Sequence, residues 1–252
     1  MKYYLGFDAG TQSVKVSVHD ENGTQIAQNS NPTKLRYPQH GWVEMDLDEY
    51  FQLTVKGIKN CVRIMNEKNL DVNSIRSIMG DGIICGCARI DEDGTPVTPF
   101  INYLDSRTRN DADELSKLNL GIWAEETGNP EPLCLFPALH ARWLIKNSSA
   151  GIKKFVHNAP YIMLKLAGLK AADAFIDHGT MSGWGLGYNV IKKEWSDEQL
   201  KILGIDKNLM PRIVKPYDII GTLSRECAEL TGLPEAIPVC AGAGDTMQSL
   251  LA

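Results

Sequence analysis

Two short segments, one near each end of the chain, combine glycine with a carboxylate side chain. The first is Asp8-Ala9-Gly10-Thr11-Gln12-Ser13, which follows an apolar run. Gly10 lets the backbone approach a bulky anion, Thr11 and Ser13 can donate hydrogen bonds, and successive amides of such a turn favour phosphate. The alternative is an ordinary hairpin with an aspartate before its turn. The Gly-Lys-Ser/Thr ending of a Walker A loop is absent.

Asp8 is compatible with a phosphate only if a cation lies between them. Mg²⁺ usually keeps several waters and takes one or two carboxylates plus phosphate oxygens, so Asp8 is expected to hold Mg²⁺ through water. The second segment is Gly242-Ala243-Gly244-Asp245, just before a predicted helix. A carboxylate there can accept a proton from a substrate hydroxyl. The alternative is that Asp245 only caps that helix.

The elements that position these segments follow from hydrophobic periodicity. Residues 3–8 predict a buried strand, the alternating valines of 14–18 a second strand, and 24–29 a third strand after an Asn22-Gly23 turn. Residues 47–68 predict the clearest amphipathic helix, behind the capping-box pair Asp46 and Glu49.

The rest of the chain alternates between strand and helix patterns. A strand at 77–79, the sequence Gly80-Asp81-Gly82 and a strand at 83–90 are predicted to form a hairpin that residues 91–94 close. Residues 107–168 predict helices with proline breaks. Further helices are expected to begin at Ser196 and at Ser224, the latter ending at Gly232, and 236–241 predict a strand. This mixed order predicts the α/β class.

The composition excludes several classes of protein. The chain has 252 residues, 43% hydrophobic and 23% charged, and a net charge of −5, which does not favour nucleic acid or anionic lipid. No apolar run reaches the roughly 18 residues of a membrane span, and an acid follows too soon for a secretory signal. A cytoplasmic protein without nucleic-acid or membrane partners is expected. The six scattered cysteines are expected to be reduced thiols, although Cys85-x-Cys87 leaves a metal site open.

Five segments together make the sequence resemble the FGGY family of carbohydrate kinases, within the larger actin-like and hexokinase-like ATPase fold. They are Gly6 to Lys15, His40-Gly41-Trp42-Val43-Glu44-Met45-Asp46, Leu104-Asp105-Ser106-Arg107, Thr127-Gly128-Asn129-Pro130 with Arg142-Trp143-Leu144, and Gly242-Ala243-Gly244-Asp245. The resemblance covers essentially the whole chain. It implies an actin-like/RNase H-like (hexokinase-type) α/β domain with a mixed central sheet and flanking helices, and makes residues 1–252 the N-terminal, sugar-binding domain of a two-domain, ATP-dependent kinase.

The resemblance also implies a role for each motif residue. Asp245 would be the catalytic base, and Asp8 would lie by Mg²⁺ and the phosphates of ATP. The cofactor-binding set would be Asp8, Gly10, Thr11, Gln12, Ser13 and Lys15. The substrate-binding set would be Asp81, Gly82, Ile83, Asp105, Arg107 and Asp245. For Asp81 a turn cap is the alternative, and for Asp105 and Arg107 an intradomain ion pair.

The acceptor is expected to be a ketopentose (xylulose-like) or a related sugar. The stretch Ile83-Ile84-Cys85-Gly86 has neither the Gln-Met-His-Gly of xylulose kinases nor the Arg-Glu pair of glycerol kinases, so glycerol is not expected and the standard contacts to D-xylulose are missing. Trp184 could line the pocket or simply pack.

The second half of the family, with its adenosine-binding glycines, lies outside this chain. We therefore expect a truncated piece that needs a C-terminal domain as partner and lacks appreciable kinase activity alone. Homodimerisation is left open. Two other functions compete: an actin-like-fold ATPase without sugar kinase activity, and a non-catalytic sugar-binding regulator.

Overall fold

A computed structural model describes residues 1–148, 151 and 153–249. In this part of the chain the helices are α1 Leu47–Glu67, α2 Arg109–Ser116, α3 Ile122–Thr127, α4 Pro137–Asn147, α5 Asn158–Leu166, α6 His178–Ser182, α7 Asp197–Leu203, α8 Arg225–Thr231 and α9 Asp245–Ser249. The strands are β1 Tyr3–Ala9, β2 Ser13–Asp20, β3 Gln25–Pro32, β4 Glu44–Met45, β5 Ile75–Gly82, β6 Gly86–Ile90, β7 Phe100–Asn102, β8 Lys154–Val156, β9 Phe175–Asp177, β10 Tyr188–Asn189, β11 Glu194–Trp195, β12 Arg212–Val214, β13 Ile219–Thr222, β14 Pro238–Cys240 and β15 Ala243–Gly244.

The central sheet has seven strands in the order β13-β14-β5-β1-β2-β3, with β15 also paired to β5. The β1-β2-β3 meander is antiparallel, whereas β1, β14 and β15 each run parallel to β5. Because parallel strands end at the same edge of a sheet, the last residues of β1, β5 and β15 come together. The residues that end these three strands therefore define one site.

One face of the central sheet is covered by helices. In β1 the side chains alternate, so that Leu5, Phe7 and Ala9 are buried while Gly6 and Asp8 on the other face remain partly exposed. Helix α1 lies across β2 and β3 and contacts α5 and α8, which is the packing that its apolar stripe predicts. Asp46 caps α1 by accepting hydrogen bonds from the N–H groups of Asp48 and Glu49.

A second hydrophobic core lies beyond this sheet. It is built around three tryptophans, Trp123, Trp184 and Trp195, and includes residues of α2, α4 and α7. Strands β4, β7, β6 and β8 form a second, antiparallel sheet.

No helix in the described part of the chain is long and apolar enough to cross a membrane.

Several predicted elements are confirmed. The helix predicted over 47–68 is α1, and the three opening strands are β1, β2 and β3. Ser196 and Ser224 cap α7 and α8 with their side chains, and α8 ends at Gly232 in a left-handed conformation. The strand predicted over 236–241 is the shorter β14.

The hairpin predicted over 77–90 is wrong. Strand β5 continues through Gly80 to Gly82 because it is paired on both sides, and the ring of Phe7 lies where a side chain of Gly80 would be. Strand β6 starts only at Gly86 and belongs to the other sheet. The turn at 91–94 instead leads back to a bridge between Ile90 and Pro96. Strands β7 and β8 were not predicted.

Candidate functional site

Three aspartates meet at the edge where β1, β5 and β15 end. Asp8 of β1 is directly opposite Asp81 of β5, and on the other side of Asp81 lies Ala243 of β15. Asp245 follows β15 immediately, as the first residue of α9. The structure therefore brings Asp8, Asp81 and Asp245 together, although they are far apart in the sequence.

Asp81 is the central carboxylate of this group. Burial, and then the charges of Asp8 and Asp245, raise the pKa of Asp81 to about 7, while Lys15 acts in the opposite direction. One Asp81 oxygen is buried without a hydrogen-bond partner among the described residues. Lys15 Nζ lies 3.1 Å from Asp8 Oδ2, so one ammonium group partly balances three carboxylates.

The turn between β1 and β2 forms a shallow concave surface. The amide of Gly10 donates to the carbonyl of Ser13 at 3.1 Å and closes the turn. A cavity of about 240 Å³ is lined by Gly10, Thr11, Gln12, Ser13 and Lys15. The five residues predicted to contact the phosphates, apart from Asp8, thus share one cavity.

A second cavity lies at two of the three aspartates. Its volume is about 320 Å³, and its lining includes Asp8, Lys15, Asp81 and Gln248 of α9. Lys15 lines both cavities. An anion that occupies the turn would therefore lie next to the carboxylates, with the ammonium group between them.

Gly242 fixes the start of the segment that carries Asp245. Its φ is +70°, and a side chain there would come within 1.9 Å of the Gly80 carbonyl oxygen. Only glycine permits this contact between the backbone before β15 and β5. Asp245 is partly exposed, and its Oδ1 accepts from the amide of Thr246 at 2.6 Å. This bond to the next residue is not the usual N-cap geometry, in which the acceptor receives an amide two or three residues on.

Asp105 and Arg107 lie in a buried network that includes none of the three aspartates. Arg107 Nη2 is 2.7 Å from both Asp105 Oδ2 and Glu44 Oε1, and its side chain is 2% exposed. The guanidinium stacks on Trp42 at 3.7 Å, and Asp105 also accepts from the Val43 amide at 2.6 Å. These groups are already satisfied and covered, so the geometry favours the ion-pair alternative over direct sugar contact.

The segment between β5 and β6, residues 83–85, lies beside Asp245 and forms one side of the site. Ile83 is buried, and Cys85 Sγ donates to the Gly183 carbonyl at 3.3 Å. Burial raises the pKa of the Cys85 thiol to about 11, and the Asp245 carboxylate adds to this shift. Gly82, at the end of β5, faces the side chain of Asn158. Trp184 is fully buried, which favours its packing role.

Three residues that contact the turn were not predicted. Tyr50, Asn158 and Thr33 each donate a hydrogen bond to a carbonyl of the segment from Ala9 to Thr11. The sequence carries no local signal for the Asn158 contact, which spans 149 residues. Tyr50 lies in the apolar stripe of α1, where a phenol needs a buried partner, and this was the only available indication.

The donor groups at this edge are oxygens, which Mg²⁺ prefers. No three His, Cys, Asp or Glu side chains of the described residues are grouped so that they alone could hold a metal ion. The fit is therefore to a cation that keeps most of its waters and is held by one or two carboxylates. The free thiols include Cys85 and Cys87, which form no metal cluster within the described ranges.

Comparisons with known proteins agree with this geometry. A sequence model described as "FGGY family of carbohydrate kinases, N-terminal domain" matches residues 3–252. A xylulose kinase of Staphylococcus xylosus is 27% identical over 246 residues, which are 96% of this chain and 49% of the relative. A gluconokinase of Bacillus subtilis is 28% identical over 254 residues, 99% of this chain and 47% of the relative.

Solved structures show the same fold. Ligand-bound xylulose kinase from Lactobacillus acidophilus has a TM-score of 0.86 at 23% identity and covers 100% of this chain and 50% of that one. Glycerol kinase from Plasmodium falciparum with ADP has a TM-score of 0.88 at 20% identity, covering 100% and 50%. The predicted actin-like, hexokinase-type α/β class is confirmed. The chain spans about half the length of the relatives it matches.

Proposed function

Because the chain belongs to the FGGY family of carbohydrate kinases, we propose that it supplies the sugar-binding half of an ATP-dependent kinase. The acceptor is a ketopentose or a related polyol or sugar acid. The observation that carries this proposal is that Asp8, Asp81 and Asp245 meet at the strand ends beside the turn, and that Lys15 lines both the turn cavity and the cavity at Asp8 and Asp81. A base and a phosphate-binding turn on one sheet edge are the two parts that phosphoryl transfer needs.

In the proposed reaction Asp245 accepts the proton of the sugar hydroxyl as its oxygen attacks the γ-phosphorus of ATP. The new oxygen–phosphorus bond forms as the bond to the β,γ-bridging oxygen breaks, and ADP leaves. The turn amides and Lys15 orient the phosphates. Bound Mg²⁺, held near Asp8 through water, would neutralise charge on the phosphate oxygens. Most of the acceleration comes from positioning and charge stabilisation.

The residues next to Asp245 define where the acceptor lies. Gly82 is the last residue of β5, and Ile83 begins the segment that lies beside Asp245. In that segment Cys85 presents a neutral thiol next to the proposed base. The charge of Asp8 and a side-chain hydrogen bond with Asp8 both raise the pKa of Asp81. We therefore assign Asp81 to the phosphate side of the site rather than to a sugar hydroxyl. Asp105 and Arg107 hold the neighbouring loop through their ion pair.

Kinase turnover is proposed to need a second half like that of the relatives, since the chain spans only about half their length. The chain alone should bind an acceptor weakly and ATP very poorly. Robust sugar-dependent ATP turnover by purified residues 1–252 would contradict this division of labour.

The test of function uses a panel of pentuloses, polyols and sugar acids. Acceptor binding to the chain is measured by calorimetry, and ADP release is measured in a protein that joins this chain to such a second half. Replacing Asp245 by Asn should lower turnover by at least about 10²-fold and leave acceptor affinity within about twofold. Unchanged turnover would refute the base assignment. ATP hydrolysis indifferent to every sugar would instead favour an actin-like ATPase, and binding without transfer a regulator.

A further inference from the structure

Four consecutive carbonyl groups of the β1–β2 turn are held from the protein side. Asn158 Nδ2 donates to the Ala9 carbonyl at 2.6 Å, and the Tyr50 hydroxyl donates to the Gly10 carbonyl at 3.1 Å. The Thr11 carbonyl accepts from Thr33 Oγ1 at 2.6 Å, and the Gln12 carbonyl accepts from the Thr33 amide at 3.1 Å. Three residues from three separate elements or loops thus fix every carbonyl from residue 9 to residue 12.

These contacts determine where the amides point. In a trans peptide the C=O and N–H groups lie on opposite sides of the bond, so a carbonyl directed to the interior turns the next amide outward. The amides of Thr11 and Gln12 have no hydrogen-bond acceptor among the described residues. Both residues line the 240 Å³ cavity. The turn therefore presents two unpaired N–H donors on its cavity side.

The donors are themselves rigidly placed. Tyr50 lies in α1 and Asn158 is the first residue of α5, and both side chains are almost completely buried. The Asn158 amide also neighbours the Tyr50 phenol, which lies 2.9 Å from Met45 Sδ. Gly82 makes room for Asn158, because a side chain there would lie 2.8 Å from Asn158 Oδ1. The end of β5 and the turn are therefore coupled through one buried side chain.

We propose that Tyr50, Asn158 and Thr33 are positioning residues that aim the Thr11 and Gln12 amides at the terminal phosphates of ATP. The inference rests on the proposed kinase function, because it presumes that the turn receives a nucleotide. None of the three side chains touches the phosphates. They act by preventing the peptide planes from rotating, so that no reorganisation is needed when the anion binds.

The test compares two buried tyrosines that each lose one hydroxyl. Tyr50→Phe removes the bond to the Gly10 carbonyl, whereas Tyr161→Phe removes a bond to the Asp48 carboxylate on the same pair of helices. The probe is Mg·ATP titrated into the protein that joins this chain to a second half like that of the relatives, followed by the amide NMR signals of Thr11 and Gln12. Tyr50→Phe should weaken the apparent affinity at these amides about three- to tenfold, and Tyr161→Phe should leave it unchanged.

A second pair of variants keeps the test decisive if Tyr50→Phe does not fold. Thr33 is partly exposed, so Thr33→Val should be tolerated and should reproduce the weakening, while Thr33→Ser, which retains the hydroxyl, should restore affinity. Equal affinities of all variants, or wild-type amides that do not respond to Mg·ATP, would overturn the inference. The acceptor-binding assay, which does not involve the turn, reports separately on the proposed function.

Discussion

At the scale of single residues, Asp81 carries the most unusual environment of the acidic group. It lies between Asp8 and Asp245, and one of its oxygens is buried without a partner in the described part of the chain. With a pKa of about 7, the Asp81 carboxyl is partly protonated at neutral pH. Its protonated form donates a hydrogen bond, so it relieves repulsion between three negative charges at the strand ends.

Asp81→Asn should therefore change how stability depends on pH. The folded-state pKa of Asp81 is raised from 3.8 to about 7, so the native protein binds the extra proton between these values and loses stability as pH rises. The variant should be more stable than the wild type at pH 7.5 by roughly 2–4 kcal/mol and nearly equal to it at pH 4. Urea denaturation without divalent cations at both pH values measures this, and a pH-independent difference would contradict it.

The site residues also show what the sequence could reveal. Asp8 and Asp245 were identified because each stands in a recognisable glycine-containing motif. That Asp81 joins them depends on the parallel pairing of β1 with β5, which leaves no periodic signal in either segment. For Asp105 and Arg107 the family resemblance implies sugar contact, with an ion pair as the alternative. The burial of these side chains is set by loops that are distant in the sequence, so the sequence does not decide between the two.

At the scale of elements, β5 organises the site because it pairs with β1 on one side and with both β14 and β15 on the other. The chain turns from β14 to β15 at Gly242, which lies against the Gly80 backbone. This contact fixes where along β5 the strand β15 ends, and hence the position of Asp245. The acids are thus aligned by backbone pairing rather than by side-chain contacts.

Gly242→Ala should disrupt this alignment. Gly23→Ala is the matched control, because Gly23 has a similar positive φ of 81° with nothing within 4 Å of the added carbon. The control carries only the backbone strain of about 1 kcal/mol, whereas Gly242→Ala adds a clash with main chain and should cost at least about 2 kcal/mol more. Denaturant unfolding of both variants gives the comparison, and equal losses would show that the contact has little energetic effect.

Local signals predicted some elements well and others poorly. Helix α1 was predicted almost to the residue because its apolar stripe and its Asp46 cap are encoded in adjacent positions. Strands β7 and β8 have three residues each, too few to show a period. The assignment of β5 and β6 to different sheets depends on their partners, so nearby glycines suggested a hairpin that does not exist.

At the scale of the whole molecule, Asp81 and two buried histidines are expected to change stability in opposite directions as the pH changes. The second core includes or borders His140 and His157, which are fully buried and whose ring nitrogens have no hydrogen-bond partner in the described ranges. Burial lowers the pKa of His140 to about 4 and that of His157 to about 3. Both rings must therefore be neutral in the folded protein, whereas Asp81 favours the protonated form.

His157→Phe should remove part of the acid sensitivity. A histidine with a depressed folded-state pKa contributes stability above its unfolded value near 6.5, and this is lost as pH falls. Between pH 7 and pH 4.5 the loss amounts to about 2–3 kcal/mol for this residue. The variant should therefore lose correspondingly less stability than the wild type over this interval, measured by urea unfolding. An identical pH profile would show that His157 is not buried as a neutral ring.

The end of β5 at Gly82 also has a consequence for divergence between related kinases. The acids and the turn are held by strand pairing and by helices α1 and α5, whereas Ile83, Ile84 and Cys85 bridge two sheets without belonging to a strand. A substitution among these three residues therefore leaves the backbone pairing of β5 in place, although Ile84 packs against Gly183 and Gly244. A xylulose kinase, a gluconokinase and a glycerol kinase are 27%, 28% and 27% identical to this chain, so relatives named for three different acceptors resemble it to a similar degree.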